Sequence, residues 1–365
     1  MLLFGKSLAE LSQIVKELSL PAFTARQISD WLYKKRVSSI AEMTNLSTKN
    51  RSLLSEKYII GTSEPLDDQI SKDGTKKYLF SVLEGKYIET AYIPEHNKYR
   101  EVNIDSPTRA TICISSQAGC RMGCVFCKTA QQGMQGNLTA ADILNQFHSL
   151  PEHNELTNIV FMGMGEPFDN KIELMKSLEI LTANWGYAWA PKRITVSTIG
   201  IIPAIRSFMD NSRCHLAVSL HHPDSAERQK LIPMEKKYPI KQVIELLKTY
   251  DLNKQRRISF EYILLEGVND SLIHANNTVR LLSGLRCRVN LIVYHADRDA
   301  MHRVSTYKPS NEQTIQQFAD ALNRKGIITT IRRSRGIDIE AACGMLSTNK
   351  IKYNNVKSGA NSTNL

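Results

Sequence analysis

From about residue 109 the chain alternates two patterns, and this alternation limits its fold more than any other feature. Short apolar, β-branched runs occur at ATICIS (110–115), TNIVFMG (157–163), RITVST (193–198), HLAVSL (215–220), ISFEYILL (258–265) and RVNLIVY (288–294). Between them lie ADILNQFHSL (141–150), IELMKSLEILTANW (172–185), PIKQVIELLKTY (239–250) and SLIHANNTVRLLSG (271–284), with apolar residues three or four apart. Short apolar runs predict buried strands, and the wider spacing predicts helices. About six alternating units predict an α/β fold with a parallel sheet and crossover helices, either an incomplete barrel or an open doubly wound sheet. In both architectures chemistry belongs at the C-terminal ends of the strands. A further helix, NEQTIQQFADALNRKG (311–326), leads through ITTIRRSRG to IDIEAACG (337–344).

The first hundred residues read differently. SLAELSQIVKEL (7–18) and TARQISDWLYKKR (24–36) carry helical spacing. Lys34, Lys35 and Arg36 end the second stretch, where cations suit a helix C-terminus. They are either a solvated helix end or an RNA contact. KKYLFSVLEGKYIETAYIP reads as two strands joined at Glu84-Gly85. The polar stretch 94–108, PEHNKYREVNIDSPT, follows it as part of a link. The expected organisation is an accessory domain over 1–95, a core over 96–346 and a polar, disordered tail over 347–365.

Composition sets outer limits. With 42% apolar residues a chain of this length can bury a sizeable core. No run of about 18 apolar residues predicts a membrane span. The opening MLLFGKSLAELSQ is charged too early for a secretory leader, so a cytoplasmic protein is expected. The net charge of +11 favours a polyanionic partner, most often nucleic acid. Seven cysteines, three of them clustered, suit a reducing compartment and metal or redox chemistry rather than a disulfide framework.

The clustered cysteines are Cys120, Cys124 and Cys127, in CRMGCVFC at spacing C-x3-C-x2-C. They follow the first core strand. Structural zinc takes four protein ligands, usually as two C-x2-4-C pairs, and no second pair exists elsewhere; Cys113, within or just after the strand, is the candidate fourth. A [4Fe–4S] cluster normally takes four thiolates. Three would leave one iron open to a substrate or cofactor. Other polar groups gather at predicted strand ends: Gly165 and Glu166 in FMGMGEP (161–167), Ser197 in VSTIGIIP (196–203), and Ser219, Leu220 and His221 in AVSLHHP (217–223). Singly, each is equally a turn or a helix cap.

The cysteine spacing, with Phe126 before the last cysteine, is similar to the signature of radical S-adenosylmethionine (SAM) enzymes. Taken together, CISSQAGCRMGCVFC, TAQQG, FMGMGEP, STIGIIP, SLHHP and GIDIEAACG closely resemble the RlmN/Cfr family of radical enzymes that methylate adenine in RNA. The resemblance covers about 85–346, and the N-terminal region also fits. It implies a partial (β/α)6 radical SAM barrel with a small N-terminal helical accessory domain. It implies a [4Fe–4S] cluster on Cys120, Cys124 and Cys127, and SAM held at Gly165, Glu166, Ser197, Ser219, Leu220, His221 and His295. Cys343, in EAACG, matches the cysteine that is methylated; Cys113 matches the one that resolves an RNA–protein adduct through a transient disulfide; Glu89 matches a proposed proton acceptor. CKTAQQG and FMGMGEP look like the RlmN branch, which methylates C2 of adenosine in 23S rRNA and in tRNA next to the anticodon. The Cfr branch methylates C8, and a non-catalytic iron–sulfur RNA-binding protein is a third reading. A flavodoxin- or ferredoxin-like reductant and a monomeric state are also implied. Two departures from the family pattern stand out: the stretch between Glu89 and Cys113 is longer, and His295 stands where many members have Asn. Cys214 and Cys287, at strand starts, are expected to be structural.

Overall fold

The structure, a computed structural model, describes residues 1–83, 85–95, 109–252, 258–295 and 307–348. Most of the polar connection after residue 95, Glu84 of the expected turn, and the tail beyond 348 therefore lie outside the described residues.

Three helices come first: α1 (Leu8–Glu17), α2 (Thr24–Ser29) and α3 (Thr48–Lys57). α1 begins at Ser7, whose Oγ accepts from Glu10 N while Ser7 N donates to the Glu10 carboxylate at 2.7 Å. That reciprocal cap satisfies two backbone donors, and the helix buries Leu11, Ile14 and Val15. α2 continues into a π-helical turn, Asp30–Lys35, that stops at a left-handed Arg36. The helical unit packs on the core through rings: Phe4 against His148, and Tyr33 against Trp185 and Tyr187.

The main sheet then begins with β1 (Asp67–Ile70), β2 (Lys76–Ser81), β3 (Tyr87–Glu95) and β4 (Arg109–Cys113). The β2–β3 hairpin is the predicted one; β1, reading DDQI, is too polar to have been recognised as a strand. β5 (Gln117–Gly119) and β6 (Met134–Asn137) form a separate small hairpin bracketing the helical turn α4 (Lys128–Gln131). The alternating region follows as α5 (Ala140–His148), β7 (Asn158–Phe161), α6 (Lys171–Thr182), β8 (Ile194–Thr198), α7 (Ile202–Asn211) and β9 (His215–Ser219). It ends with α8 (Ser225–Leu231), α9 (Ile240–Lys248), β10 (Ile258–Leu264), α10 (Leu272–Leu282), β11 (Cys287–Val293), α11 (Glu312–Arg324) and β12 (Ile328–Arg332).

The strand order is β1-β2-β3-β4-β7-β8-β9-β10-β11-β12. From β4 onward every pair is parallel and the order never reverses. A doubly wound sheet requires a reversal at a switch point, so the barrel-like alternative is the one realised. All six predicted core strands form, and β12 adds a seventh parallel strand. β1 to β3 run antiparallel and extend the sheet: β3 pairs with β4 from Ala91↔Cys113 to Glu95↔Arg109. A boundary at residue 95 falls between two hydrogen-bonded strands. Among the described residues no helix is long and apolar enough to cross a membrane.

One buried ion pair ties the strand ends together. The Arg228 guanidinium donates to the carbonyls of Leu220 (2.9 Å), Ile199 (2.8 Å) and Ser219 (2.6 Å) and pairs with Glu235. Glu235 in turn accepts from Ile240 N at 3.0 Å, the start of α9. Removing one member strands the other in an apolar interior, at about 3–5 kcal/mol. Arg228→Ala is therefore expected to lower the thermal unfolding midpoint steeply, and Arg228→Met with Glu235→Gln to lose less than the single change.

Candidate functional site

The cysteine loop leaves β5 through a left-handed glycine. Gly119 has φ +71°, and a Cβ there would lie 1.8 Å from the Gly133 carbonyl oxygen, so only glycine lets the two segments approach. Cys120 N then donates to that carbonyl at 3.0 Å, and Cys127 N closes a turn on Cys124 O at 3.2 Å. Cys120 and Cys124 are buried, and Cys127 is half-buried at the head of α4. Burial pushes the Cys120 thiol up to about 12 and also raises Cys124 well above the usual thiol range. Cys127 is also raised by burial, an effect offset in part by hydrogen bonding from Thr129 and Ala130. The neighbouring sulfur charges raise Cys120 and Cys124 as well. Among the described residues no three His, Cys, Asp or Glu side chains are gathered tightly enough to share a single ion. A polynuclear cluster asks for less, one thiolate per iron, and three soft sulfur donors fit it.

The predicted cofactor contacts lie around one rim. Gly165 (φ +94°) sits where a Cβ would come within 2.5 Å of Gln117 Cβ, so it locks the end of β7 against β5. Glu166 N donates to Gln117 Oε1 at 2.9 Å, and its carboxylate accepts from Phe168 N (3.1 Å) and Ile199 N (3.0 Å). Burial pushes this carboxyl up to about 7. Ser197 and Ser219 stand half-buried near the ends of β8 and β9. The Leu220 side chain is in the core, with its N–H on Glu261 O at 2.9 Å. His221 adopts φ +57°, and its Nδ1 accepts from Ile263 N at 3.0 Å, which leaves the proton on Nε2. Burial and the Arg228 charge lower His221 to about 3, so it is neutral at ordinary pH. Its ring meets Phe126 edge-on at 4.8 Å, joining the cysteine loop to β9. His295 follows β11, with Nε2 2.5 Å from Ser334 Oγ.

Cys113 ends β4 between Ala91 and Val160. It is buried in a small apolar cluster with Ala91 and Ala341, and burial, then the charge of nearby Cys343, raises its thiol. Cys343 is exposed to solvent, yet the surrounding walls still raise its thiol, with Arg332 pulling the other way. The small-residue loop carrying it is tied down more firmly than its sequence suggests. Lys128 N donates to Gly344 O (2.9 Å), Thr129 Oγ1 to Leu346 O (2.6 Å), and Thr348 N to Gln132 Oε1 (3.1 Å). These bonds clip the segment to the helical turn that follows Cys127. The remaining two cysteines, Cys214 and Cys287, are buried, and none of the seven is in a disulfide.

Glu89 lies on β3 two residues before Ala91, the partner of Cys113, and so points to the same side of the sheet. The unbroken β3–β4 pairing fixes this relation whatever the length of the connection beyond Glu95. The carboxylate is buried, 3.0 Å from Lys77 Nζ, and accepts from Ser347 N at 2.9 Å. It thus touches the same segment that carries Cys343.

Several groups here are not apparent from motif spacing. Lys77 is one. Glu261, on β10, accepts from Asn290 Nδ2 (2.8 Å) and Ser259 Oγ (3.1 Å), with Arg332 Nε 3.6 Å away. Arg332 reaches Met162 Sδ at 3.7 Å, and its charge favours the thiolates of both Cys113 and Cys343. The one available signal was Glu261 and Asn290 standing among the apolar residues of these strands.

Residues 114–275 match the Radical SAM superfamily, and residues 1–60 match the ribosomal RNA large subunit methyltransferase N-terminal domain. A probable dual-specificity RNA methyltransferase RlmN of Bacteroides thetaiotaomicron is 51% identical over 97% of this chain and 98% of its own length. The dual-specificity RNA methyltransferase RlmN of Campylobacter lari is 38% identical over 93% and 96%. A crystal structure of a radical SAM methyltransferase from Sphaerobacter thermophilus superposes with a TM-score of 0.83 at 36% identity, covering 95% of this chain and 99% of that one. The chain belongs to the RlmN family of the radical SAM superfamily.

Proposed function

We propose that this enzyme methylates carbon 2 of adenosine in 23S rRNA and in tRNA beside the anticodon, using Cys343 as a covalent methyl carrier. The gathering of Cys113, Cys343 and Glu89 next to the cysteine loop supports this most directly. Cys120, Cys124 and Cys127 would hold a [4Fe–4S] cluster. Gly165, Glu166, Ser197, Ser219, Leu220, His221 and His295 would hold SAM. When bound, cluster and SAM supply a methyl group and, from a second SAM, a 5′-deoxyadenosyl radical.

The chain's own residues account for the rest. Adenine C2 lies between two ring nitrogens and is too electron-poor to attack a methyl donor, so the methyl group must first sit on a better nucleophile. The Cys343 thiolate is that nucleophile, and the Arg332 charge favours its ionised form. Once the Cys343-bound carbon has joined the adenine ring, Glu89 is positioned to take the C2 proton, and the cluster that Cys120, Cys124 and Cys127 would hold would take back the odd electron left on the ring. Cys113 then attacks the Cys343 sulfur. The carbon–sulfur bond breaks, the released carbon takes up a proton, and the two sulfurs are left as a disulfide. A flavodoxin- or ferredoxin-like protein would reset the thiols. Seven cysteines outside any disulfide suit a reducing, cytoplasmic compartment, and the family resemblance implies a monomer. Acting on two RNAs requires recognition by shape, backbone and a flipped base.

Nucleoside mass spectrometry on cluster-loaded enzyme with SAM, reductant and protein-free 23S rRNA or tRNA is expected to yield 2-methyladenosine. The 8-methyl isomer would overturn the ring position, and RNA bound but unmodified would favour a binding protein. Cys343→Ala should keep RNA affinity and abolish transfer, whereas Cys113→Ala should accumulate an RNA–protein adduct visible as a shifted gel band. A neutral Glu166 cannot pair with an ammonium. Because its carboxyl is raised to about 7, SAM affinity should rise with pH through that value and fall about tenfold per unit below it. Equilibrium dialysis should find this dependence gone in Glu166→Gln.

A further inference from the structure

Lys34, Lys35 and Arg36 diverge sharply in the fold. Lys34 pairs with Asp30 at 2.7 Å, and Lys35 sits 3.4 Å above the Trp31 ring. Both are occupied within their own helical turn. Arg36 turns instead into a cavity of about 290 Å³ at the seam between the N-terminal helical unit and the core, lined also by Thr62, Glu64, His148 and His153.

Two features of Arg36 are unfavourable in the free chain. Its backbone is left-handed (φ 58°, ψ 49°), a conformation that glycine adopts far more easily. Its guanidinium Nε is buried with no hydrogen-bond partner among the described residues. A buried donor without a partner, on a residue that ends its helical turn in the left-handed region, points to function. The other lining groups indicate the ligand. The His153 Nδ1 donates to Leu150 O at 3.1 Å, which turns Nε2 away from that carbonyl. His148 is held neutral, lowered to about 3 by burial, with Nδ1 on Tyr187 OH at 2.6 Å. Glu64 is the one acidic group lining the cavity, and it is exposed to solvent.

We propose that this cavity binds one phosphodiester of the RNA backbone, with Arg36 as its charged ligand and Thr62 and His153 as neighbours. The proposal rests on RNA being the substrate and adds a contact outside the cysteine site, at the seam joining the two parts of the chain.

The test compares full-length, cluster-loaded wild type with Arg36→Gly and Arg36→Lys, using unmodified tRNA transcript as the probe. Arg36→Gly suits the left-handed turn, so its thermal midpoint should equal or exceed that of wild type. Its RNA affinity should fall roughly threefold to tenfold near 150 mM salt, and the slope of log affinity against log salt should shrink by about 0.7–0.9, the signature of one lost phosphate contact. The RNA concentration for half-maximal methylation should rise by the same factor. Arg36→Lys should keep most of the slope. Wild-type affinity and slope in Arg36→Gly would overturn the proposal, and so would a weaker affinity accompanied by a lower thermal midpoint. If wild type binds RNA with this Arg36 dependence yet transfers no methyl group, the methyl-transfer reading fails and the phosphate site stands.

Discussion

The pairing of β3 with β4 is the constraint on which the site depends. It is antiparallel, whereas every later pair of the main sheet is parallel, so it marks the point where the N-terminal hairpin is built onto the core. It puts Ala91 opposite Cys113 and, two residues along, Glu89 on the same side. A carboxylate outside the parallel array thus comes to lie on the same side as a thiol that ends its first strand. The parallel strands contribute the second requirement. Because their order follows the chain from β4 to β12, all their C-terminal ends share one rim. Glu166, Ser197, Ser219 and His221 meet there although they are spread widely in sequence.

Buried polar groups hold that rim in shape. Arg228 gathers three carbonyls from the ends of β8 and β9. Glu166 bridges from the end of β7 to the end of β8 through Ile199 N. His221 reaches across to Ile263 on β10. Each bond joins consecutive strands where the ladder itself has stopped. Polar groups with satisfied bonds in a low-dielectric setting give rigidity, and each partner's loss is expensive.

The alternation of apolar runs made the core strands legible, because a strand buried on both faces carries its own signal. β12 escaped notice because its burial is partial, with exposed and half-buried residues in turn. β5 and β6 are too short to show a period, and α8, reading SAERQKL, has almost no apolar face. α7 begins at Ile202-Pro203, inside a stretch read as a strand-end motif. Of the site, the cysteine cluster was visible in spacing alone. The pairing of Cys343 with Cys113, and Glu89 as their neighbour, came from family resemblance, since 230 residues separate the two thiols along the chain. Lys77 and Arg332 were invisible, as isolated cations in a basic chain look like surface charge until the fold supplies Glu89 and Glu261 as partners.

The clipping of residues 344–348 onto α4 and Glu89 bears on how firmly the enzyme must grip its substrate. Three backbone or side-chain bonds to α4 and Gln132, and one to Glu89, hold the strip that carries Cys343. In the proposed reaction the adenosine becomes covalently joined to that strip midway, so from then on its residence is set by a chemical bond rather than by surface contacts. An enzyme working this way tolerates quick non-covalent exchange before the bond forms and after it is cut. Such exchange suits a catalyst that must release RNAs of very different size and shape.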